Sequence, residues 1–133
     1  MKYIIDIETK RTEVEKGSDD VNIYSATVLA DVELGEDEAR IEYTDDSLKT
    51  VITASQKLVT VYASGAARSS LVFAEGKHCS GEYSITEGAL QVTTYAYKIT
   101  NKLNSPEKTL TIDYEIDFGG NMCDRSIITY KLK

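Results

Sequence analysis

Lys108-Thr109-Leu110-Thr111-Ile112-Asp113-Tyr114-Glu115-Ile116-Asp117-Phe118 is the stretch that decides the fold. Leu110, Ile112, Tyr114, Ile116 and Phe118 share one phase, and Thr109, Thr111, Asp113, Glu115 and Asp117 the other. Side chains of an extended chain alternate between faces, so this unbroken period of two predicts a strand with one buried and one wet face. In the segment that follows, Met122, Ile128, Tyr130 and Leu132 share a phase. The two apolar rows match only across a connection with an odd number of residues, which predicts a three-residue Gly119-Gly120-Asn121 loop. A two-residue turn on Gly119-Gly120 suits dipeptide statistics, but it would set Tyr114 opposite Arg125 and expose half of each row. The longer loop puts Ile112 opposite Ile128, Leu110 opposite Tyr130 and Glu115 opposite Arg125.

The same argument works near the N-terminus. Tyr24, Ala26, Val28, Ala30, Val32 and Leu34 share a phase, and Ala39, Ile41 and Tyr43 have the opposite parity, so a four-residue Gly35-Glu36-Asp37-Glu38 loop aligns them and sets Glu33 against Arg40. The hairpin around Gln56-Lys57 is less defined, because Val51, Ile52, Val59, Val61 and Tyr62 put apolar groups on both faces.

Runs rich in Val, Ile, Thr and Tyr between Gly, Asn, Asp and Ser clusters predict strands at Lys2 to Glu15, Asn22 to Leu34, Glu38 to Thr44, Lys49 to Ser55, Leu58 to Ser64, Ser69 to Glu75, Ser80 to Thr86, Ala89 to Asn101, Lys108 to Phe118 and Met122 to Leu132. No segment shows helical spacing of apolar residues. Short turns imply an antiparallel meander, and long half-polar strands suit a sheet that curls until its edges meet. The expectation is an all-β protein, an antiparallel up-and-down β-barrel of 8–10 strands over residues 1–133 as a single domain, with a two-layer sandwich as the alternative. The only long loop expected is Asn101 to Glu107, marked by Asn104-Ser105-Pro106.

The 133 residues are 41% hydrophobic and 28% charged, which excludes a disordered chain and suits one soluble domain. The net charge is −7, and residues 1–46 alone carry 14 acids against 5 basic residues. Without Lys and Arg clusters to neutralise phosphates, nucleic acid is not an expected partner, and anionic membrane surfaces are disfavoured by the same sign. No uncharged stretch approaches the length of a membrane span. Met1-Lys2-Tyr3-Ile4-Ile5-Asp6 offers no secretory h-region, so the expected location is cytoplasmic, with Cys79 and Cys123 as thiols.

Chemistry is harder to find. His78 is the single histidine, which removes every motif that needs two, so no metal site or cofactor is expected. His78 and Cys79 are adjacent and point to opposite sides of an extended chain, so they make no dyad. Asp113, Glu115 and Asp117 stand roughly 7 Å apart along one strand face, near the spacing of an inverting glycosidase pair. General acid work needs a carboxyl in a pKa-raising environment, and this row belongs to the wet face. No enzyme activity is expected. The distinctive residue is tyrosine: nine copies, with two phenylalanines and no tryptophan. Tyr24, Tyr43, Tyr114 and Tyr130 fall on inward phases, with Tyr83 beside them; inward phenols either make an amphipathic lining or stack at the barrel ends with their hydroxyls in water.

Ser64-Gly65-Ala66-Ala67-Arg68-Ser69-Ser70-Leu71-Val72-Phe73-Ala74-Glu75-Gly76, followed by Gly81-Glu82-Tyr83-Ser84-Ile85-Thr86-Glu87-Gly88-Ala89-Leu90, resembles the YwiB-like family of small bacterial proteins of unknown function (domain of unknown function 1934). Glu42-Tyr43, Thr50-Val51-Ile52, Tyr114 and Tyr130 fit the same layout, and the likeness runs from about Ser25 to Leu132. The family's Thr-Pro-aromatic before the hairpin glycine is here Ile85-Thr86-Glu87, and its arginine near the first glycine is replaced by Ala63 or Ser64. The resemblance implies a lipocalin-like, or calycin-like, barrel and carries no established activity.

The reading that follows is a barrel binding a small apolar or amphipathic ligand, lined by Tyr43, Tyr62, Arg68, Phe73, Tyr83 and Tyr114, with Arg68 as the cation that meets a ligand carboxylate. The alternative is a protein-protein interaction module or homodimer with a core filled by its own side chains.

Overall fold

The computed structural model describes residues 1–13, 21–65, 67–85, 88–119 and 122–133. Its regular elements are ten strands: β1 (Lys2–Glu13), β2 (Val21–Leu34), β3 (Ala39–Asp45), β4 (Leu48–Ala54), β5 (Leu58–Ser64), β6 (Arg68–Ala74), β7 (His78–Ile85), β8 (Gly88–Lys102), β9 (Thr109–Gly119) and β10 (Met122–Leu132). Each pairs antiparallel with its neighbours in sequence, and β1 pairs with β10, so the meander closes into a barrel. Closure removes both sheet edges and settles the choice between barrel and sandwich.

Both registers derived from apolar matching are present. Ile112 faces Ile128, Leu110 faces Tyr130 and Glu115 faces Arg125. Val32 faces Ile41, Glu33 faces Arg40 and Leu34 faces Ala39 across the 35–38 turn. At the β9-β10 end the register shifts between Met122 and Cys123, so Met122 pairs with Gly119. Gly120 and Asn121 of the proposed three-residue loop lie outside the described residues, as do Glu15 and Thr86, the expected ends of β1 and β7. The ion pairs differ from those expected from register. Arg40 bridges Glu42 two residues along its own strand, and Arg125 bridges its diagonal neighbour Asp113, because side chains that long reach past the residue directly opposite.

Two features were not in the sequence reading. The β3-β4 turn places Asp46 and Ser47 at φ of 47° and 65°, the left-handed pair that a two-residue hairpin turn requires. On β8 the register shifts between Ala96 and Lys98. This bulge at Tyr97 moves the inward phase from Val92, Thr94 and Ala96 to Ile99 and Leu103, so apolar residues stay inside on both sides of it.

The barrel is filled at one end. Ile5, Ile41, Ile52, Val59, Leu110 and Ile112 are fully buried there. The segment joining β8 to β9 crosses below them and inserts Leu103, 1% exposed, as a plug. Asn101 fastens it by donating to the Ser55 carbonyl at 2.9 Å while accepting from the Leu103 N–H, and Asn104 donates to the Gly35 carbonyl at 2.8 Å. These bonds satisfy backbone groups that a crossing segment would otherwise leave buried and unpaired.

Candidate ligand site in the barrel mouth

The other end is where β1 and β9 finish and β2 and β10 begin, and there the interior becomes polar. Tyr130, 4% exposed, marks the boundary. Burial pushes its phenol well above the ordinary range, and the neighbouring phenols of Tyr43 and Tyr114 push the same way. Tyr43 is also raised by burial and hydrogen-bonds the buried Thr50. Tyr114 is raised by burial and hydrogen-bonds the buried Ser126. These groups remain neutral hydroxyls at neutral pH, able to donate and accept.

Above this floor is a cavity of about 280 Å³ lined by Thr9, Arg11, Tyr24, Tyr83, Tyr114, Ile116, Phe118, Asp124 and Ser126. Its aromatic wall is built from β7 and β9: Tyr83 and Phe118 have ring centres 6.0 Å apart, and Tyr114 packs on Phe73 at 4.7 Å. Burial raises Tyr83, opposed by the nearby Arg11 charge. Tyr24 keeps its inward phase and lines the cavity at the rim, 54% exposed, because β2 is buried on that phase only from Val28 onward. Arg11 and Asp124 form an ion pair on the interior phase of β1 and β10.

The six residues singled out in the sequence divide by face. Tyr83 and Tyr114 line the cavity, Phe73 supports Tyr114 from below, and Tyr43 is half-buried against the core beside the tyrosine floor. Tyr62 and Arg68 do not face the interior. Val59 and Ala63 are the buried phase of β5, and Leu71 and Phe73 that of β6, so alternation turns Tyr62 and Arg68 to the outer wall. They share a shallow outer recess with Ser70, Glu82 and Ser84. Among the described residues, the cation placed among interior aromatics is Arg11.

Arg11, Asp124 and Ser126 went unnoticed because polar residues on an apolar phase look like interruptions. Their signal was present: Tyr3, Ile5, Ile7, Thr9 and Arg11 share one phase, as do Asp124, Ser126, Ile128 and Tyr130. Arg11 is paired in register with Ser126, which brings both polar ends to the same level.

The carboxylate row lies outside, as expected. Glu115 accepts from the Tyr97 hydroxyl at 2.9 Å and from the Cys123 thiol, which hold its carboxyl below the usual range. Burial, reinforced by Glu115, pushes the Cys123 thiol up to about 12. The Arg125 guanidinium sits 4.1 Å from the Tyr97 ring centre and bridges Asp113 at 3.2 Å. A carboxylate kept ionised this way is unsuited to act as a general acid.

A family model described as "Domain of unknown function (DUF1934)" matches residues 5–133. The chain belongs to this family. Among solved structures, this DUF1934 protein is similar to one described as the crystal structure of ywiB protein from Bacillus subtilis, at 21% identity and a TM-score of 0.75, over 99% of this chain and 93% of that one. That likeness shows a shared fold. No curated protein matches. Among the described residues, no helix is long and apolar enough to cross a membrane.

Proposed function

We propose that this DUF1934 protein is a non-enzymatic, cytoplasmic carrier or sensor that binds a small amphipathic molecule in the mouth of its barrel. One observation carries the reading: apolar side chains fill the base, but the mouth keeps a cavity of about 280 Å³ with aromatic walls and a few convergent polar groups. Barrels wider than about eight strands have room for a ligand beside their own side chains, and pockets of roughly 300 Å³ or a little less suit compact molecules. The lining residues belong to strands, which gives a preformed site with little ordering cost. The acidic balance speaks against nucleic acid as the occupant.

Native mass spectrometry of the protein purified from its own source tests this reading. A stoichiometric small-molecule adduct, lost when Tyr114→Trp fills the cavity, is the expected result. A bare mass under gentle ionisation, with no shift of cavity resonances by any extracted metabolite fraction, would reject it.

The second reading, a homodimer or interaction module, is favoured by one patch. Ile4 and Leu29 are register partners on the outer wall of β1 and β2 and are 50% and 61% exposed. Sedimentation at micromolar concentration distinguishes the two, since a dimer sealed by this patch would dissociate in Leu29→Lys.

A further inference from the structure

We infer that the outer wall of the barrel, on the face of β5 to β8, carries a second binding site, for a neutral sugar chain two or three rings long. The site is separate from the mouth and does not rest on what the mouth holds. Register sets its frame. Tyr62 on β5 pairs with Ser70 on β6, Ser70 with Glu82 on β7, and Glu82 with Gln91 on β8. Directly paired residues share a face, and all four are exposed, so they form one row across the outside of the strands. Three interstrand spacings give that row a length of about 14 Å.

Serines turn the row into a trough. The short side chains of Ser70, Ser80 and Ser84, between Tyr62 and Gln91, leave two recesses of about 260 and 220 Å³ that share Ser70 and Glu82. Among the described residues, the continuous β6-β7 ladder pairs Arg68, Ser69 and Ser70 with Ser84, Tyr83 and Glu82. Beyond it the Val72 carbonyl accepts from the Thr94 hydroxyl of β8. The second recess lies where this ladder ends, beside Ser80.

The trough joins an aromatic end to a polar middle, and a sugar has a surface for each. Tyr62, 47% exposed, offers a ring on which the C–H face of a pyranose packs as an apolar surface. Glu82 is held in place in the middle, accepting from the Ser84 hydroxyl at 2.9 Å and from the Gln91 amide at 3.3 Å. A carboxylate has about four acceptor sites, so Glu82 keeps capacity for sugar hydroxyls, and bonds to a charged acceptor are the stronger kind. Arg68 borders the first recess and adds donors for ring and acetal oxygens. A phosphate would meet the Glu82 carboxylate in mid-row. An apolar chain would cover Ser70, Glu82 and Gln91 without replacing their bonds to water. In a shallow trough the outward hydroxyls of a sugar keep their hydration.

Titration of the intact protein with maltotriose, cellotriose and tri-N-acetylchitotriose, followed by NMR of the backbone amides, tests the site. At least one sugar should give saturable shifts centred on Tyr62, Ser70, Glu82 and Gln91. Tyr62→Ala and Glu82→Ala should each weaken that binding about tenfold, and Tyr62→Trp should keep it, which separates a stacking platform from a general loss of fold. The anionic trigalacturonate should bind more weakly than the best neutral sugar. Absence of saturable shifts with all three sugars, shifts centred on the barrel mouth, or tighter binding of trigalacturonate would overturn the proposal. The mouth is decided separately, by whether an adduct of the purified protein is lost in Tyr114→Trp.

Discussion

Arg11 on β1 and Asp124 on β10 form an ion pair on the interior side of the seam where the first and last strands meet. Asp124 is the more enclosed of the two, with about a fifth of its side chain exposed. Arg11→Gln and Asp124→Asn should each lower unfolding free energy by about 1 kcal/mol, and the double variant should lose less than their sum. Urea denaturation of the four proteins measures the coupling, and strict additivity would show that the pair contributes nothing.

Leu103 seals the base at 1% exposure. Leu103→Ala should cost about 3 kcal/mol, since the surrounding isoleucines cannot collapse into the space without moving β-strands. The loss should appear in urea midpoints, while ligand binding at the opposite end stays within about twofold.

Ser47 occupies the left-handed region at φ 65°, where a side chain is strained. Replacing Asp46-Ser47 by Asn-Gly should stabilise the protein by about 1 kcal/mol, as these residues suit a turn with two positive φ angles. A lower thermal midpoint would contradict the turn geometry.

Cys123 keeps its proton up to about pH 12 in the folded protein, and Tyr43, Tyr83, Tyr114 and Tyr130 are all raised. An unfolded thiol titrates near about 8.5 and a phenol near about 10, so on the alkaline side the unfolded chain releases protons that the folded one retains. Stability from these groups is therefore complete below about pH 8.5 and declines as pH rises toward about 12. Cys123→Ser should remove the earliest part of that decline. In a Cys79→Ser background, iodoacetamide should label Cys123 slowly at pH 8, and Glu115→Gln should speed it by removing the carboxylate that opposes thiolate formation.

Tyr62→Ala and Arg68→Ala should leave ligand binding in the mouth unchanged, because both side chains are on the outer wall. Tyr83→Ala should abolish it. Calorimetry with the small molecule recovered by native mass spectrometry separates the two outcomes.

Most of the barrel was legible because burial enforces strand register. A one-residue slip of β10 would have turned Ile128 and Tyr130 into water, so apolar parity alone located Ile112 opposite Ile128. The site was legible in part, since Phe73, Tyr83 and Tyr114 obey the same parity. Tyr62 failed because β5 is apolar on both faces and gives no parity to read. The bulge at Tyr97 was hidden because one inserted residue reverses the phase of β8 midway, and Ile99 then falls out of step with Val92. Arg11 and Asp124 were hidden because they meet only when residues 113 positions apart are joined by barrel closure.

That closure also governs when the protein can be finished during synthesis. β1 leaves the ribosome ahead of the other nine strands but bonds to Ile128 and Tyr130 on β10, so until β10 has emerged the nascent sheet has an open hydrogen-bonding edge on each side. Such a chain depends on fast completion, or on a chaperone that shields its edges. A stalled translation product ending before β10 should accumulate as an aggregate rather than as a smaller barrel.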